Sequence, residues 1–250
     1  MSVGHAVAIV VAGLWAGMIN TIVGSGTLVT FPVLLALGYP PLTANVSNGL
    51  GLVPGSLAGA LGYRRELEGR RGRVARFGIA SGLGALLGAI LLLSLPSSTF
   101  DAVVPVLIGL GVVLVIVQPF LARRLARRAG GERTRVGPGL IAGIFGTGVY
   151  GGYFGAAQGV LLLAILGIGL DDELQRHNAV KNVLATVANL VSGIVFALVA
   201  PISWPVVGLI AVSSAVGGVV GARIGRRLPP VVLRAVIVVV GIAAIVELLR

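Results

Sequence analysis

Amide side chains that could bind an anion recur at two places in a chain that is otherwise strongly apolar. Asn45 and Asn48 follow a Pro-Pro turn in the first half, and Asn178 and Asn182 occupy a similar place in the second. Residues three or four positions apart share one face of a helix. A helix cap explains one amide at a helix start, but it does not explain a second amide one turn further in. We therefore predict a polar cavity lined by Asn45, Ser47, Asn48, Asn178, Lys181 and Asn182.

A glycine-containing break that opens a short apolar segment precedes each polar pair. The first break covers residues 24–26 and leads into Thr27, and the second has Gly155 followed by Gln158. The free N–H groups and the dipole at a helix N-terminus attract anions. An interfacial turn explains the first break equally well. Gln158 is harder to explain in this way, because it stands in a run of Gly, Ala, Val and Leu. The predicted substrate-binding residues therefore also include Gly26, Thr27, Gly155 and Gln158.

The ionisable residues limit the chemistry of such a cavity. Lys181 is the one lysine among 19 basic residues, and its ammonium could either face an anion or extend to the membrane interface. None of the eight acidic residues falls in the middle of a predicted membrane segment, so a proton relay or a metal site is poorly supplied. The absence of cysteine excludes thiolate metal sites and disulfides. We predict an anionic substrate, no metal, no cofactor and no enzymatic activity.

Gly146, Gly148 and Gly151 have the spacing of a dinucleotide-binding fingerprint. No soluble strand and no βαβ unit surrounds them, so the spacing does not indicate a cofactor site. Small residues four apart in apolar helices are typical of helix-packing faces. We expect this function for Gly84, Gly88, Gly217, Gly221 and Gly225.

The elements that must position these residues are membrane helices. Hydrophobic residues make up 56% of the chain, charged residues 11%, and the mean hydropathy is +1.04. A run of about 20 apolar residues is long enough to cross a bilayer as a helix. The fold class predicted is all-α: a polytopic helical membrane protein with eight full spans and two short or re-entrant helices, 26–38 and 155–169. The ten segments are 3–22, 26–38, 42–62, 73–95, 99–121, 136–153, 155–169, 174–199, 203–225 and 229–249.

The two halves of the chain repeat in sequence. Gly26 matches Gly155 at an offset of 129, and Asn48 matches Asn182 at an offset of 134 after an insertion. Five segments per half make the repeats inverted, an arrangement that many secondary transporters use to bind substrate near the midplane. We predict a first membrane repeat at 1–122, a basic cytoplasmic linker at 123–135 and a second membrane repeat at 136–250.

The formal net charge of +11 comes from arginines that cluster between apolar segments. Basic loops remain on the cytoplasmic side of a membrane. The loops at 64–76 and 123–135 are therefore predicted to be cytoplasmic in a multi-pass protein of the cell (plasma or inner) membrane. No aromatic residues interleave with the arginines, so we expect the lipid bilayer, and no nucleic acid, as a partner.

The chain resembles the TauE/SafE sulfite exporter family, also called the toluene-sulfonate uptake permease family. The resemblance rests on residues 24–38, GSGTLVTFPVLLALG, on 44–48, ANVSN, and on 54–59, PGSLAG, followed by the arginine-rich loop. Residues 155–167 and 178–182 form a weaker second copy. The first break reads Gly-Ser-Gly where family members usually have more glycines. The resemblance implies permeation of small sulfur-containing or organic anions such as sulfite, sulfonates or sulfoacetate.

Taken together, these patterns predict a secondary transporter that works by alternating access between two inverted halves. Glycine-striped faces are compatible with a homodimer. Three alternatives stay open at this point: a transporter of cations or metals, an intramembrane enzyme, and an accessory subunit of a membrane complex. The enzyme would need a nucleophile–base pair or a metal cluster, for which the sequence supplies two histidines and no cysteine.

Overall fold

The structure is a computed structural model that describes residues 1–126, 136–224 and 230–248. Within these ranges the chain forms eleven α-helices and one short 3₁₀ helix, and no strand, so the all-α prediction is confirmed. The α-helices are α1 (Val3–Ile22), α2 (Thr27–Ala36), α3 (Pro41–Gly51), α4 (Val53–Gly62), α5 (Arg71–Ser94), α6 (Ser97–Ala126), α7 (Pro138–Tyr153), α8 (Gln158–Gly169), α9 (Leu174–Val199), α10 (Trp204–Ile224) and α11 (Pro230–Leu248).

Helix lengths agree with a membrane protein. Five of the described helices are long and apolar enough to cross a bilayer: α1, α5, α6 up to Phe120, α9 and α10. The two segments predicted to be short form α2 and α8, with 10 and 12 residues. At a rise of 1.5 Å per residue, each is only about 15–18 Å long. The chain is therefore a polytopic helical membrane protein with two short apolar helices.

The predicted segment 42–62 is not one helix. It divides into α3 and α4 at Leu52, which is the C-cap of one and the N-cap of the other. Pro54 lies at the start of α4, and proline both lacks an N–H group and crowds the preceding turn. In the second half, the predicted segment 174–199 forms one continuous helix of 26 residues, α9, which contains no proline.

Two helix pairs pack so closely that their backbones touch. In the first pair, α1 lies on α10, and a Cβ atom added at Gly17 or Gly217 would collide with the backbone of the other helix. In the second pair, α5 lies on α7, and a Cβ atom added at Gly84 or Gly88 would likewise collide with the backbone of α7. The predicted packing function is therefore confirmed for Gly84, Gly88, Gly217 and Gly221, and Gly225 lies outside the described residues.

Each of these two close-packed helix pairs contacts one further helix. Helix α4 packs on α10, and α9 packs on α5. Two buried serines add hydrogen bonds between helices: the hydroxyl of Ser214 on α10 donates to the carbonyl of Gly51, the last residue of α3, at 3.1 Å, and that of Ser81 on α5 donates to the carbonyl of Leu184 on α9 at 3.2 Å. Helices α3 and α9, which carry the predicted polar residues, are thereby fixed against the two close-packed pairs.

Candidate functional site

The chain turns in the same way at the two breaks. Helix α1 ends before Gly24, which has a φ of +87°, and α7 ends before Gly155, which has a φ of +76°. Each of these glycines donates its N–H to the carbonyl five residues earlier, Ile19 or Tyr150, at 3.0 Å. Glycine is favoured here because other residues rarely adopt a positive φ. The two glycines that make this turn are 131 positions apart, whereas the sequence matching paired Gly26 with Gly155 at an offset of 129.

The two breaks touch each other. The N–H of Gly159 donates to the carbonyl of Gly24 at 3.0 Å. A Cβ atom at Gly24 would lie 2.5 Å from the Cα of Gly159, so the two segments cross in backbone contact. Gly26 is the N-cap of α2, and Ala157 is the N-cap of α8. The N-termini of the two short helices therefore lie side by side in the interior.

Ala157 has a left-handed backbone, with a φ of 58°, and its side chain is fully buried. It is the only residue other than glycine with a positive φ in the described part of the chain. A left-handed conformation costs an L-residue about 1–2 kcal/mol. Local strain of this kind concentrates at ligand-binding positions, and here it lies directly before Gln158.

Lys181 and Asn182 close the C-terminal end of α1. The ammonium of Lys181 donates to the carbonyls of Asn20 at 3.2 Å and Thr21 at 3.0 Å, and the amide of Asn182 donates to Thr21 at 3.4 Å. Lys181 is 1% exposed, so the alternative in which its ammonium extends to the interface is wrong. A cation is stabilised at this position by the negative end of the helix dipole.

The C-terminal end of α7 is closed by a neutral group. The amide of Asn45 donates to the carbonyl of Tyr153 at 3.0 Å, and the hydroxyl of Tyr150 donates to Ala156 at 2.6 Å. Beside them, the amide of Gln158 lies against Gly151. Gln158 is 3% exposed, and its Nε2 has no hydrogen-bond partner.

The remaining predicted residues divide into three environments. Asn48 accepts a short hydrogen bond from the hydroxyl of Thr30 and donates to Thr27 at 3.3 Å, so it ties α3 to α2. Ser47 accepts the backbone N–H of Ser203 at 2.9 Å and therefore serves the connection that precedes α10. Asn178 is buried, and its Oδ1 has no partner.

The model of the sulfite exporter TauE/SafE family matches residues 9–248 of the chain. The chain belongs to this family. It is similar to probable membrane transporter protein ORF9 of Sinorhizobium sp, with 34% identity over 98 residues, which is 39% of this chain and 38% of that protein. A probable membrane transporter protein of Haemophilus influenzae is 28% identical over 181 residues, which is 71% of this chain and 69% of that protein.

Probable membrane transporter protein YfcA of Escherichia coli K12 is 26% identical over 147 residues, which is 58% of this chain and 52% of that protein. The matched stretches thus span between 38% and 69% of these three relatives. No solved structure matches the chain.

This TauE/SafE chain contains polar residues near the breaks that the sequence reasoning missed. Asn20 and Thr21 supply the carbonyls for Lys181, and the amide of Asn20 also donates to Ser56 at 2.8 Å. Thr30 lies one turn after Thr27 and faces the same amide. The available signal was an Asn-Thr dipeptide at the end of an apolar helix, directly before a glycine turn.

Buried hydrogen-bond donors lie beside the crossing, which is the contact between the two breaks at Gly24 and Gly159. Ser25 is 1% exposed and its Oγ has no partner, like the Nε2 of Gln158. Ser25 directly follows Gly24, and Gln158 directly precedes Gly159. These two glycines form the backbone hydrogen bond between the breaks. Buried polar groups in proteins are nearly always hydrogen-bonded. Two unpaired groups beside two helix N-termini can therefore bind a ligand that accepts hydrogen bonds.

Proposed function

We propose that this chain is a secondary transporter for small sulfur-containing or organic anions, such as sulfite, sulfonates or sulfoacetate. The observation that carries the proposal is the hydrogen bond between Gly24 and Gly159, which brings the N-termini of α2 and α8 together inside the protein. Helix N-termini bind anions through their N–H groups and their dipoles. In transporters built of repeats, the interrupted helices present such ends to anionic substrate groups near the midplane.

The charges near the crossing favour an anion over a cation. Lys181 lies next to the crossing: a Cβ at Gly159 would be 3.0 Å from its Cδ. Of the acidic side chains that the structure describes, none is buried. A site for a cation or metal would need oxygen ligands with negative charge, and the described residues contain no group of three His, Cys, Asp or Glu that could hold a metal ion.

The packing supports an inverted repeat as the basis for alternating access. The first helix of each half, α1 or α7, lies on the fourth predicted membrane segment of the other half, α10 or α5, where α3 and α4 count together as the third segment of the first half. The serine hydrogen bonds relate Ser81 to Ser214 and Gly51 to Leu184, and both pairs are 133 positions apart.

This offset shifts the correspondence between the polar residues of α3 and α9 by one position. It pairs Asn45 with Asn178 and Asn48 with Lys181, where sequence matching paired Asn48 with Asn182. In this proposal Asn48 and Lys181 are the neutral and the cationic versions of one position. The proposed topology has eight spans, with α3 and α4 together as one interrupted span, in an inner or plasma membrane. The basic segments 64–76 and 123–135 are proposed to be cytoplasmic; residues 71–76 begin α5, residues 123–126 end α6, and 127–135 lie outside the described residues.

The transport proposal is tested with the purified chain in proteoliposomes. Uptake of labelled sulfite and of sulfoacetate would be followed against the same liposomes without protein, with a divalent metal ion as the cation arm. We expect flux of at least one of the two anions, and a fall of at least ten-fold in Gln158→Ala and Ser25→Ala. Ser94→Ala is the control, because this exposed hydroxyl bonds only to Ile90 of its own helix in the described contacts.

Absence of anion flux, flux of the metal ion instead, or full activity in Gln158→Ala would contradict the proposal. Each variant is compared with wild type for its unfolding midpoint. Because Gln158→Ala also leaves a cavity at a buried position, Gln158→Met is measured beside it: it removes the unpaired Nε2 but keeps a side chain of similar length, so flux lost in this variant at an unchanged midpoint reports on binding.

A further inference from the structure

We infer that an anionic phospholipid binds at the N-terminal end of α5, with its phosphate in an arginine-lined pocket and an acyl chain along the same helix. The pocket lies at the start of α5 and has a volume of about 570 Å³. This volume falls within the range of about 300–1,000 Å³ that is usual for small-molecule sites. Its walls are Gly72, Arg73, Arg76, Phe77 and Val136.

The pocket combines two arginines with two apolar side chains. Arg73 and Arg76 lie one turn apart in the first two turns of α5, where the helix dipole is positive. Phe77, which also lines the pocket, is fully buried. No atom lies within 4 Å of the position that a Cβ would take at Gly72, so the backbone of the first turn is open to a ligand. Guanidinium groups bind phosphate oxygens in pairs.

The positive charge of this region is only partly neutralised. Asp172, in the connection before α9, accepts from Arg70 at 2.6 Å and lies 3.5 Å from Arg73 and 3.7 Å from Arg176. One carboxylate is thus shared by three guanidinium groups. Arg76 is exposed and has no acidic partner within 4 Å in the part of the chain that the structure describes. It is therefore the guanidinium best placed to bind an added phosphate.

An apolar track leads from the pocket along α5. Ile79, Leu83 and Leu87 follow Arg76 at three, seven and eleven positions, which places them on one face of the helix. They are 64%, 56% and 41% exposed in a helix that can cross a bilayer. A soluble phosphate would use the arginines alone. A phospholipid uses both the arginines and the track, and basic pockets at the edge of the membrane are where anionic headgroups bind.

The experiment measures lipid binding to the full chain, purified in neutral detergent, by native mass spectrometry and by a titration of intrinsic fluorescence. The probes are phosphatidylglycerol, phosphatidylcholine and inorganic phosphate. We expect saturable binding of phosphatidylglycerol that is at least ten-fold tighter than binding of the other two. Arg76→Gln should weaken it about five-fold, and Arg73→Gln/Arg76→Gln more.

The matched control is Arg64→Gln/Arg65→Gln, which removes two exposed arginines from the 3₁₀ helix Arg64–Leu67, outside the pocket. We expect this variant to bind phosphatidylglycerol like wild type. An equal loss in both double variants would mean general attraction to basic residues, and phosphate binding as tight as lipid binding would mean a soluble ligand. Either result overturns the inference. Arg76→Gln leaves the Asp172 cluster intact, so its unfolding midpoint should not change.

Discussion

The two helix breaks share one backbone turn, but different groups stabilise them. At the first break, the side chains of Thr27 and Thr30 bind Asn48, so α2 is tied to α3 within the same half of the chain. At the second break, the residue that opens α8 is Gln158, whose Nε2 is unpaired, and it follows a strained Ala157. Each break also contains one buried polar atom without a partner, the Oγ of Ser25 in the first and the Nε2 of Gln158 in the second, so the two breaks differ in how the short helix is held rather than in whether a free group remains.

The helix ends that lead into the breaks differ in charge. The carbonyls at the end of α1 receive an ammonium and an amide, from Lys181 and Asn182, while the end of α7 receives the amide of Asn45. A pair of symmetrical breaks would present the same field to a substrate from both sides. This difference makes the field near the crossing asymmetric, and it concentrates positive charge beside α1.

The largest expected effect is a difference in stability loss between substitutions at Gly24 and at Gly155, the positive-φ glycines of the two breaks. Gly24→Ala and Gly155→Ala both place a side chain at a positive φ, which costs about 1–2 kcal/mol. At Gly24 the new Cβ also meets the backbone of Gly159 at 2.5 Å, whereas at Gly155 the nearest atom is the carbonyl oxygen of Gly151 at 3.1 Å. We expect Gly24→Ala to lose about 3 kcal/mol or more of unfolding free energy, and Gly155→Ala about half as much.

The measurement for this pair is an SDS titration in bicelles. Gly38→Ala serves as the control, because its φ is also positive but no atom lies within 4 Å of its Cβ position. Equal losses for Gly24 and Gly155 would mean that the contact between the breaks does not constrain the fold.

The next effect compares the two helix ends. Lys181→Met leaves the carbonyls of Asn20 and Thr21 without the ammonium, and we expect a loss of about 2 kcal/mol. Asn45→Leu removes one neutral hydrogen bond to Tyr153, for which membrane proteins average about 0.6 kcal/mol. The same titration measures both. If Asn45→Leu proves the more damaging, the asymmetry between the ends of α1 and α7 is not one of charge.

A smaller effect distinguishes a residue that stabilises the start of a short helix from one that binds substrate there. Asn48→Leu breaks two hydrogen bonds to α2 and should lower the unfolding free energy by about 1 kcal/mol. Gln158→Met removes an amide nitrogen that has no partner, so stability should change by less than about 0.5 kcal/mol while anion flux falls. A stability loss in Gln158→Met equal to that in Asn48→Leu would assign both residues to structure.

The smallest effect concerns the strain of the second break. Ala157→Gly removes the side chain from a left-handed position and should raise the unfolding free energy by up to about 1 kcal/mol. Gly26, the N-cap of α2, has an ordinary right-handed conformation, so Gly26 is not expected to be under such strain. A decrease in stability for Ala157→Gly would show that the strain is offset by contacts of the methyl group.

Much of the fold follows from local signals in the sequence. Apolar runs fix the helices, and the breaks before α2 and α8 follow from glycines that must adopt a positive φ. The division at Leu52 was missed, although Pro54 gave a local reason for it. The sequence matching of the two breaks differs by two residues from the pairing that the shared turn favours, because small residues recur throughout the chain and their matches do not determine a unique offset.

The contacts of the site were not available from the sequence. Gly24 and Gly159 are 135 positions apart, and a hydrogen bond between two backbones involves no side-chain pattern. The same holds for Lys181, whose partners are carbonyl groups that every residue possesses. The sequence could indicate that polar residues are buried near the breaks, but the identity of their partners depends on how distant helices pack.

The glycine contacts of α1 with α10 and of α5 with α7 interleave the two halves of the chain. A hinge that swung residues 1–122 away from residues 136–250 would have to separate both pairs where their backbones touch. The bodies that move during transport are therefore expected to be mixed, with α1, α4 and α10 in one and α5, α7 and α9 in the other. Cross-links within either body should be tolerated during turnover, and a cross-link between the two bodies should arrest it.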